Sequence, residues 1–290
     1  MIRVKVILAL VVAFSALGVT ADAQMHEHAA PMSVHDFDPA VQRLVDRASS
    51  AAEPYADRRA AIAAGYRLVG RDLPQMGEHW LNPRLVVDGN FDIAHPQILT
   101  YLNVDGHPVL TGVVYAIPLD PGQSPPGDFG PEALWHEHNG TVDEEALLAQ
   151  HHSTASAATG TRVAFLHVWI RVPASESIFG ADNWAIPFVR AGLPVPSAFS
   201  DGAARAISLA TGGTQFFVDL LGAAPASRAN DAFEECARGS AAIVAKAKAD
   251  KRGLTVDELA LLDKSWSKLI SKVESQSGVE AARSINGGAI

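Results

Sequence analysis

The sequence predicts an α+β protein with a mainly antiparallel β core, residues ~84–172, flanked by N-terminal and C-terminal helices. Helical spacing of apolar residues occurs near both ends of the chain, and β-branched segments separated by turn signals fill the middle. No regular alternation of strands and helices indicates a parallel sheet. Because 290 residues still permit one large core, we expect a single domain over residues 38–275.

The first 37 residues are expected to lie outside that domain. Residues 1–23 combine a basic start, the apolar run Val6–Val19 and an Ala-x-Ala pattern ending at Ala23, which is typical of a cleaved secretory signal peptide. Residues 24–37 are predicted to form a flexible His-rich arm. These features predict a periplasmic or secreted protein.

Residues 38–70 are assigned to the N-terminal helices. Asp38-Pro39 combines a good N-cap with proline at the first helical position, and the apolar spacing after it predicts a helix to about Ser50. Pro54 is expected to open a second helix that ends near Tyr66.

The β core, which we extend to residue 190 as a structural unit, contains five predicted strands. Asp105-Gly106 lies between the second and third of them and is a strong hairpin signal. The strands are Arg84–Val87, Ile98–Asn103, Val109–Ile117, Leu134–His138 and Thr161–Val172.

Residues 197–275 are predicted to form the C-terminal helices. Capping-box patterns at Asp231–Glu234 and Thr255–Glu258 are expected to open two of them. Two shorter helices are expected at Ala203–Ala210 and Gln215–Leu221, and the tail from Gln276 is expected to fray.

Composition limits the classes of partner. The formal net charge is −9 and no basic run is present, which argues against binding to nucleic acid. After cleavage of the signal no segment is long and apolar enough to insert into a membrane. Cys236 is the only cysteine, so no internal disulfide can form.

Histidines beside tryptophans are the strongest functional signal. In Trp135-His136-Glu137-His138 the two imidazoles alternate, which places both on one face of a strand. His167 lies in a buried strand, and His79 lies on a loop or strand edge. The sequence therefore predicts one transition-metal site, for zinc or copper, with His136, His138, His167 and His79 as ligands.

Whether this site performs a reaction is left open by the sequence. Three imidazoles with an open coordination position could activate water or support copper redox chemistry. Glu137 and Glu78 are weak candidates for a general base, because a solvated carboxylate is the commoner role for such a residue. Metal binding without turnover needs fewer assumptions, and the substrate, the metal and the oligomeric state are not specified.

These segments together resemble a family of secreted bacterial proteins without an established activity. The resemblance implies a shared architecture and a shared histidine site. The matching segments are Ala61–Tyr66, Met76–Trp80, Pro96–Tyr101, Gly112–Tyr115, Trp135–His138 and Leu166–Trp169.

Two alternatives accompany the metal hypothesis. The H-x-H motif followed by Asp143 or Glu144 is similar to the first motif of the cupin barrel, which would imply a metalloenzyme, but the second cupin motif is missing around His167. In the other alternative, Trp80, Trp135 and Trp169 line a metal-free groove that binds an apolar or sugar ligand.

Overall fold

A computed structural model describes residues 38–120, 122–131, 133–137 and 162–286. Within these residues 49% are helical and 19% lie in strands, and the strands form one antiparallel sheet between N-terminal and C-terminal helices. The α+β prediction is confirmed. The predicted signal peptide, the predicted His-rich arm and His138 lie outside the described residues.

The six described strands lie side by side in the order β1-β2-β3-β4-β6-β5, and every pairing is antiparallel. Among them β1 and β5 stand at the two ends of this order. The strands are β1 (Arg67–Leu73), β2 (Gly77–Leu81), β3 (Ile98–Val104), β4 (His107–Leu119), β5 (His136–Glu137) and β6 (Arg162–Trp169).

Nine α-helices are found in the described part of the chain. In the C-terminal layer α8 packs against α5, α7 and α9. The helices are α1 (Pro39–Ala52), α2 (Arg58–Ala63), α3 (Pro83–Asp88), α4 (Ile186–Arg190), α5 (Asp201–Ala210), α6 (Thr214–Leu221), α7 (Ala223–Ala249), α8 (Val256–Ser277) and α9 (Val279–Asn286). None of these helices has the length and apolar character needed to cross a membrane.

Several local signals are confirmed. Asp38 caps α1, since its carboxylate accepts a hydrogen bond from the backbone nitrogen of Ala40 at 2.7 Å. Asp105 and Gly106 form the predicted hairpin turn, with φ of 50° and 85° as a type I′ turn requires. The capping box between Thr255 and Glu258 opens α8.

The sheet separates two apolar regions. Leu99, Tyr101, Val113 and Leu166 point from one face into the main core, which they share with the helices. The opposite face, which we call the inner face, carries a smaller buried cluster: Val69, Leu81, Val86, Ile98, Val114, Ala116 and Phe165. Strand alternation assigns the two sets to opposite faces.

Two predictions about the beginning of the β core are wrong. The segment Arg84–Val87 is helical within α3, because Asn82 caps the helix through the backbone nitrogen of Arg84 and Gly89 ends it in the left-handed conformation. The sheet already begins at Arg67 with β1, so the last part of 38–70 is not helical.

The C-terminal helices also differ from the prediction. Asp231 opens no helix, since it lies inside α7, which starts after Gly222 and runs without a break to Ala249. The tail does not fray at Gln276. It forms α9, which is held by a hydrogen bond from Trp266 Nε1 to Asn286 Oδ1 at 2.8 Å.

Candidate functional site

His79 and His167 are carried by β2 and β6, which are separated in the sheet by β3 and β4. The pairing register places His79 opposite Thr100, and His167 opposite Val114. All four positions belong to the inner face because the strands alternate in step. The fold therefore assigns both histidines to the same side of the sheet.

The two histidines meet across the inner face. Their Nε2 atoms are 3.5 Å apart, and their rings are nearly perpendicular with centroids 5.8 Å apart. Exposure is only 2% for His79 and 3% for His167. The structure thus brings together two predicted ligands that lie 88 residues apart in the sequence.

His136 lies beside this pair on the short edge strand β5. It pairs with Phe165, and its ring stacks on that of His167 with centroids 5.4 Å apart and planes 10° apart. His136 Nδ1 lies 3.3 Å from the carbonyl oxygen of Leu134. If Nδ1 carries the proton and donates it to this carbonyl, Nε2 is left as the lone-pair nitrogen.

We call His79, His136 and His167 the histidine cluster. His138, the fourth predicted ligand, lies outside the described residues. Within residues 38–120, 122–131, 133–137 and 162–286, no three His, Cys, Asp or Glu side chains are grouped closely enough to hold a metal ion as they stand. The stacked ring of His136 would have to turn in order to direct a nitrogen at the same point as the other two histidines.

The approach of β2 to β6 depends on small side chains and irregular pairing at the middle of the inner face. A Cβ atom at Gly112 would lie 2.9 Å from the carbonyl oxygen of Val168 and 3.0 Å from Thr100 Oγ1. The β3–β4 register also shifts between Thr100 and Tyr101, a type of irregularity that increases strand bending. The histidine pattern of the sequence does not single out Gly112, although a glycine inside a strand is a recognised sign of close approach.

Neither candidate base faces the histidine cluster. Glu78 precedes His79 in β2 and therefore points to the opposite face, where it accepts hydrogen bonds from Arg58 at 2.7 Å and Trp80 Nε1 at 2.9 Å. Glu137 follows His136 in β5 and is exposed on the side opposite that ring. This arrangement does not support a general-base role for either carboxylate.

The three tryptophans of the groove hypothesis lie in different surroundings. Trp80 lies under Arg58 on the face opposite His79, with 5.0 Å between the guanidinium carbon and the ring centroid. Trp135 packs edge-on against Phe91, and Trp169 is 2% exposed and stacks on His167. The three described indoles therefore do not line one open groove.

Two chemical interpretations fit a buried pair of imidazole nitrogens at this distance. A metal ion can join them by accepting a lone pair from each ring, or a proton can join them in a long hydrogen bond. Apolar side chains of the inner face, among them Leu81, Ile98 and Phe165, surround this part of the sheet, and both imidazoles are buried.

Comparison with models of known protein families, with curated proteins and with solved structures gives no match to the chain. The resemblances to a secreted bacterial family and to cupins therefore stay predictions from the sequence motifs. The geometry of the histidine cluster is the feature of this protein from which a function can be inferred.

Proposed function

We propose that the protein binds one transition-metal ion, zinc or copper, through His79, His167 and His136. His138 is a further candidate ligand from the sequence pattern alone. The observation that carries the proposal is the 3.5 Å separation between the Nε2 atoms of His79 and His167. Two neutral imidazoles at this separation provide the nitrogen ligands that Zn(II) and Cu(II) favour.

The separation supports bent rather than linear coordination. Two nitrogens that each lie about 2.0–2.1 Å from one ion are about 3.3–3.4 Å apart at a tetrahedral angle. The same bond lengths in a linear arrangement would place them about 4.0–4.2 Å apart. The His79–His167 distance of 3.5 Å is close to the bent value. A third ligand is then needed, and His136 is a candidate because its ring centroid lies 5.4 Å from that of His167.

Metal binding is a better-supported function than catalysis. Neither candidate base faces the histidine cluster. Glu78 pairs with Arg58 on the other side of the sheet, and Glu137 is exposed on the side opposite the His136 ring. A bound metal would supply Lewis acidity or redox chemistry, while His79 and His167 would hold it away from solvent. Together with the predicted signal peptide, these features favour metal binding or buffering in the periplasm or outside the cell.

A hydrogen bond shared by the two imidazoles is the competing explanation. It requires one Nε2 to carry a proton and the other to accept it, and it needs no contribution from His136. The two explanations differ in what His136 does: replacing it weakens a metal site but leaves an imidazole pair intact.

The test is elemental analysis of the untagged mature protein, before and after reconstitution with zinc or copper. It includes His136→Ala, His79→Gln and His167→Gln. A variant lacking residues 24–32 controls for metal bound by the histidines of the predicted His-rich arm. His95→Ala controls for an exposed histidine, which pairs with Asp92.

The metal proposal expects near-stoichiometric metal that is reduced by all three cluster variants and retained by the truncation and by His95→Ala. No metal in the reconstituted wild-type protein would overturn the proposal. Metal lost only with residues 24–32 would assign binding to the arm instead of the sheet. Circular dichroism of each variant identifies any loss that comes from unfolding.

A further inference from the structure

Trp169 forms a continuous stack with two members of the histidine cluster. The rings of His167 and Trp169 have centroids 5.6 Å apart and planes 19° apart. The rings of His167 and His136 have centroids 5.4 Å apart and planes 10° apart. The imidazole of His167 is therefore nearly parallel to both an indole and a second imidazole.

The indole at the end of this stack is itself fixed in place. Trp169 Nε1 donates a hydrogen bond to the carbonyl oxygen of Gly180 at 2.8 Å, and the Trp169 backbone nitrogen donates to the carbonyl oxygen of Ile178 at 2.9 Å. Gly112 makes room for the ring, because a Cβ atom there would lie 3.2 Å from Trp169 Cε3. The side chain has little freedom to change its rotamer.

We propose that Trp169 is a positioning residue that fixes the ring plane of His167 and so keeps its Nε2 directed at His79. An imidazole can rotate about its Cβ–Cγ bond, and only a small range of that angle leaves Nε2 within reach of the other ring. A flat neighbour at stacking distance restricts that rotation. Groups that orient metal-binding histidines affect metal affinity without contacting the ion.

This inference rests on the proposed metal function, and it makes a separate statement about ring orientation. Trp169→Leu removes the flat face, and Trp169→Phe keeps a flat face but loses the bond to Gly180. Trp266 provides a matched control because it is also 2% exposed and also donates its indole hydrogen, but it lies in α8 within the helical layer.

The experiment measures zinc affinity by competition with a chromophoric chelator, and thermal stability of the same samples. We expect Trp169→Leu to weaken zinc binding by about 10–100-fold, the usual effect of losing an orienting group. Trp169→Phe should weaken it less, and Trp266→Leu should lower stability without changing the affinity. Unchanged zinc affinity in a folded Trp169→Leu protein would overturn the proposal.

A second measurement separates this proposal from the metal function. Nitrogen-15 NMR of the imidazoles in metal-free protein reports the tautomer of each histidine. We expect one tautomer of His167 in the wild-type protein and a mixture in Trp169→Leu. If wild-type protein binds no zinc, the metal function fails, while the NMR comparison still decides whether Trp169 orients His167. Identical His167 spectra in both proteins would overturn the positioning role.

Discussion

His79 Nε2 lies 3.5 Å from His167 Nε2, although two strands separate β2 from β6 in the sheet. Three strand spacings amount to about 14 Å in a flat sheet, and side chains stand roughly perpendicular to it. The sheet must therefore curl strongly toward its inner face. The short separation of the two nitrogens thus reflects the curvature of the sheet as well as the geometry of the candidate metal site.

Metal binding should consequently stabilise the whole fold, because one ion would link strands on both sides of β3 and β4. At a free-metal concentration about 100 times Kd, the gain is about 2.7 kcal/mol. For a chain of this size that corresponds to a rise in Tm of about 5–10 °C. Differential scanning calorimetry with zinc and with excess EDTA measures the difference.

His79→Gln provides the control for this measurement. The variant should have the same Tm with zinc and with EDTA, since one of the two buried nitrogen ligands is gone. A zinc-dependent rise in the variant equal to that of the wild-type protein would show that the stabilising ion binds elsewhere.

Sheet curvature can be tested independently at Gly112. A valine at this position would collide with the Val168 carbonyl and with Thr100, so Gly112→Val should lower the free energy of unfolding by about 1–3 kcal/mol. It should also reduce zinc affinity by forcing β4 away from β6. Urea denaturation and chelator competition give the two values.

Gly127→Ala is the matched control, because a Cβ atom added at Gly127 would meet no heavy atom of the described residues within 4 Å, its chain neighbours aside. It should leave both quantities unchanged. If Gly112→Val lowers stability but binds zinc with wild-type affinity, the histidine pair does not depend on curvature at this position.

Strand alternation makes a different prediction for Glu78. Glu78→Gln should keep full metal occupancy, because its carboxylate lies on the face opposite His79 and interacts with Arg58. The lost ion pair is partly exposed, so the cost in stability should be about 1 kcal/mol or less. Elemental analysis checks occupancy, and loss of metal in a folded Glu78→Gln protein would contradict this placement.

The sequence predicted the ligand types better than their geometry. Alternation within Trp135–His138 and the apolar neighbours of His167 were sufficient to select candidate residues. The meeting of His79 and His167 depends on strand order, register and the irregularity at Thr100, none of which is encoded in local spacing. The sequence alone could therefore identify His79 and His167 as candidate ligands, but it could not show that their side chains come close together.

Local sequence signals gave wrong predictions where two signals for different structures were present in the same segment. The apolar residues of Arg84–Val87 suit a strand, but Asn82 and Gly89 favour a short helix and their caps decided the outcome. In α7 the capping-box pattern at Asp231 was overridden by helical continuity, because Ala229, Ala232 and Phe233 bury one face across the expected boundary.

Asp182 should make the stability of the fold depend on pH. Burial raises the pKa of its carboxyl to about 6, although the nearby Arg205 guanidinium acts in the opposite direction. Because the folded protein holds this proton more tightly than the unfolded chain, stability should increase as pH falls from above 6 toward 4. At pH values well above 6, the ionised Asp182 carboxylate lowers the free energy of unfolding by at most about 3 kcal/mol.

Asp182→Asn removes the charge while nearly preserving the shape of the side chain. The variant should be more stable than the wild-type protein at pH 7.5, and the difference should shrink steadily toward pH 5. Urea denaturation across pH 5–7.5 measures it, and titrating groups common to both proteins cancel in the comparison. A stability difference between Asp182→Asn and the wild-type protein that stays constant across this pH range would contradict the assigned direction of the pKa shift.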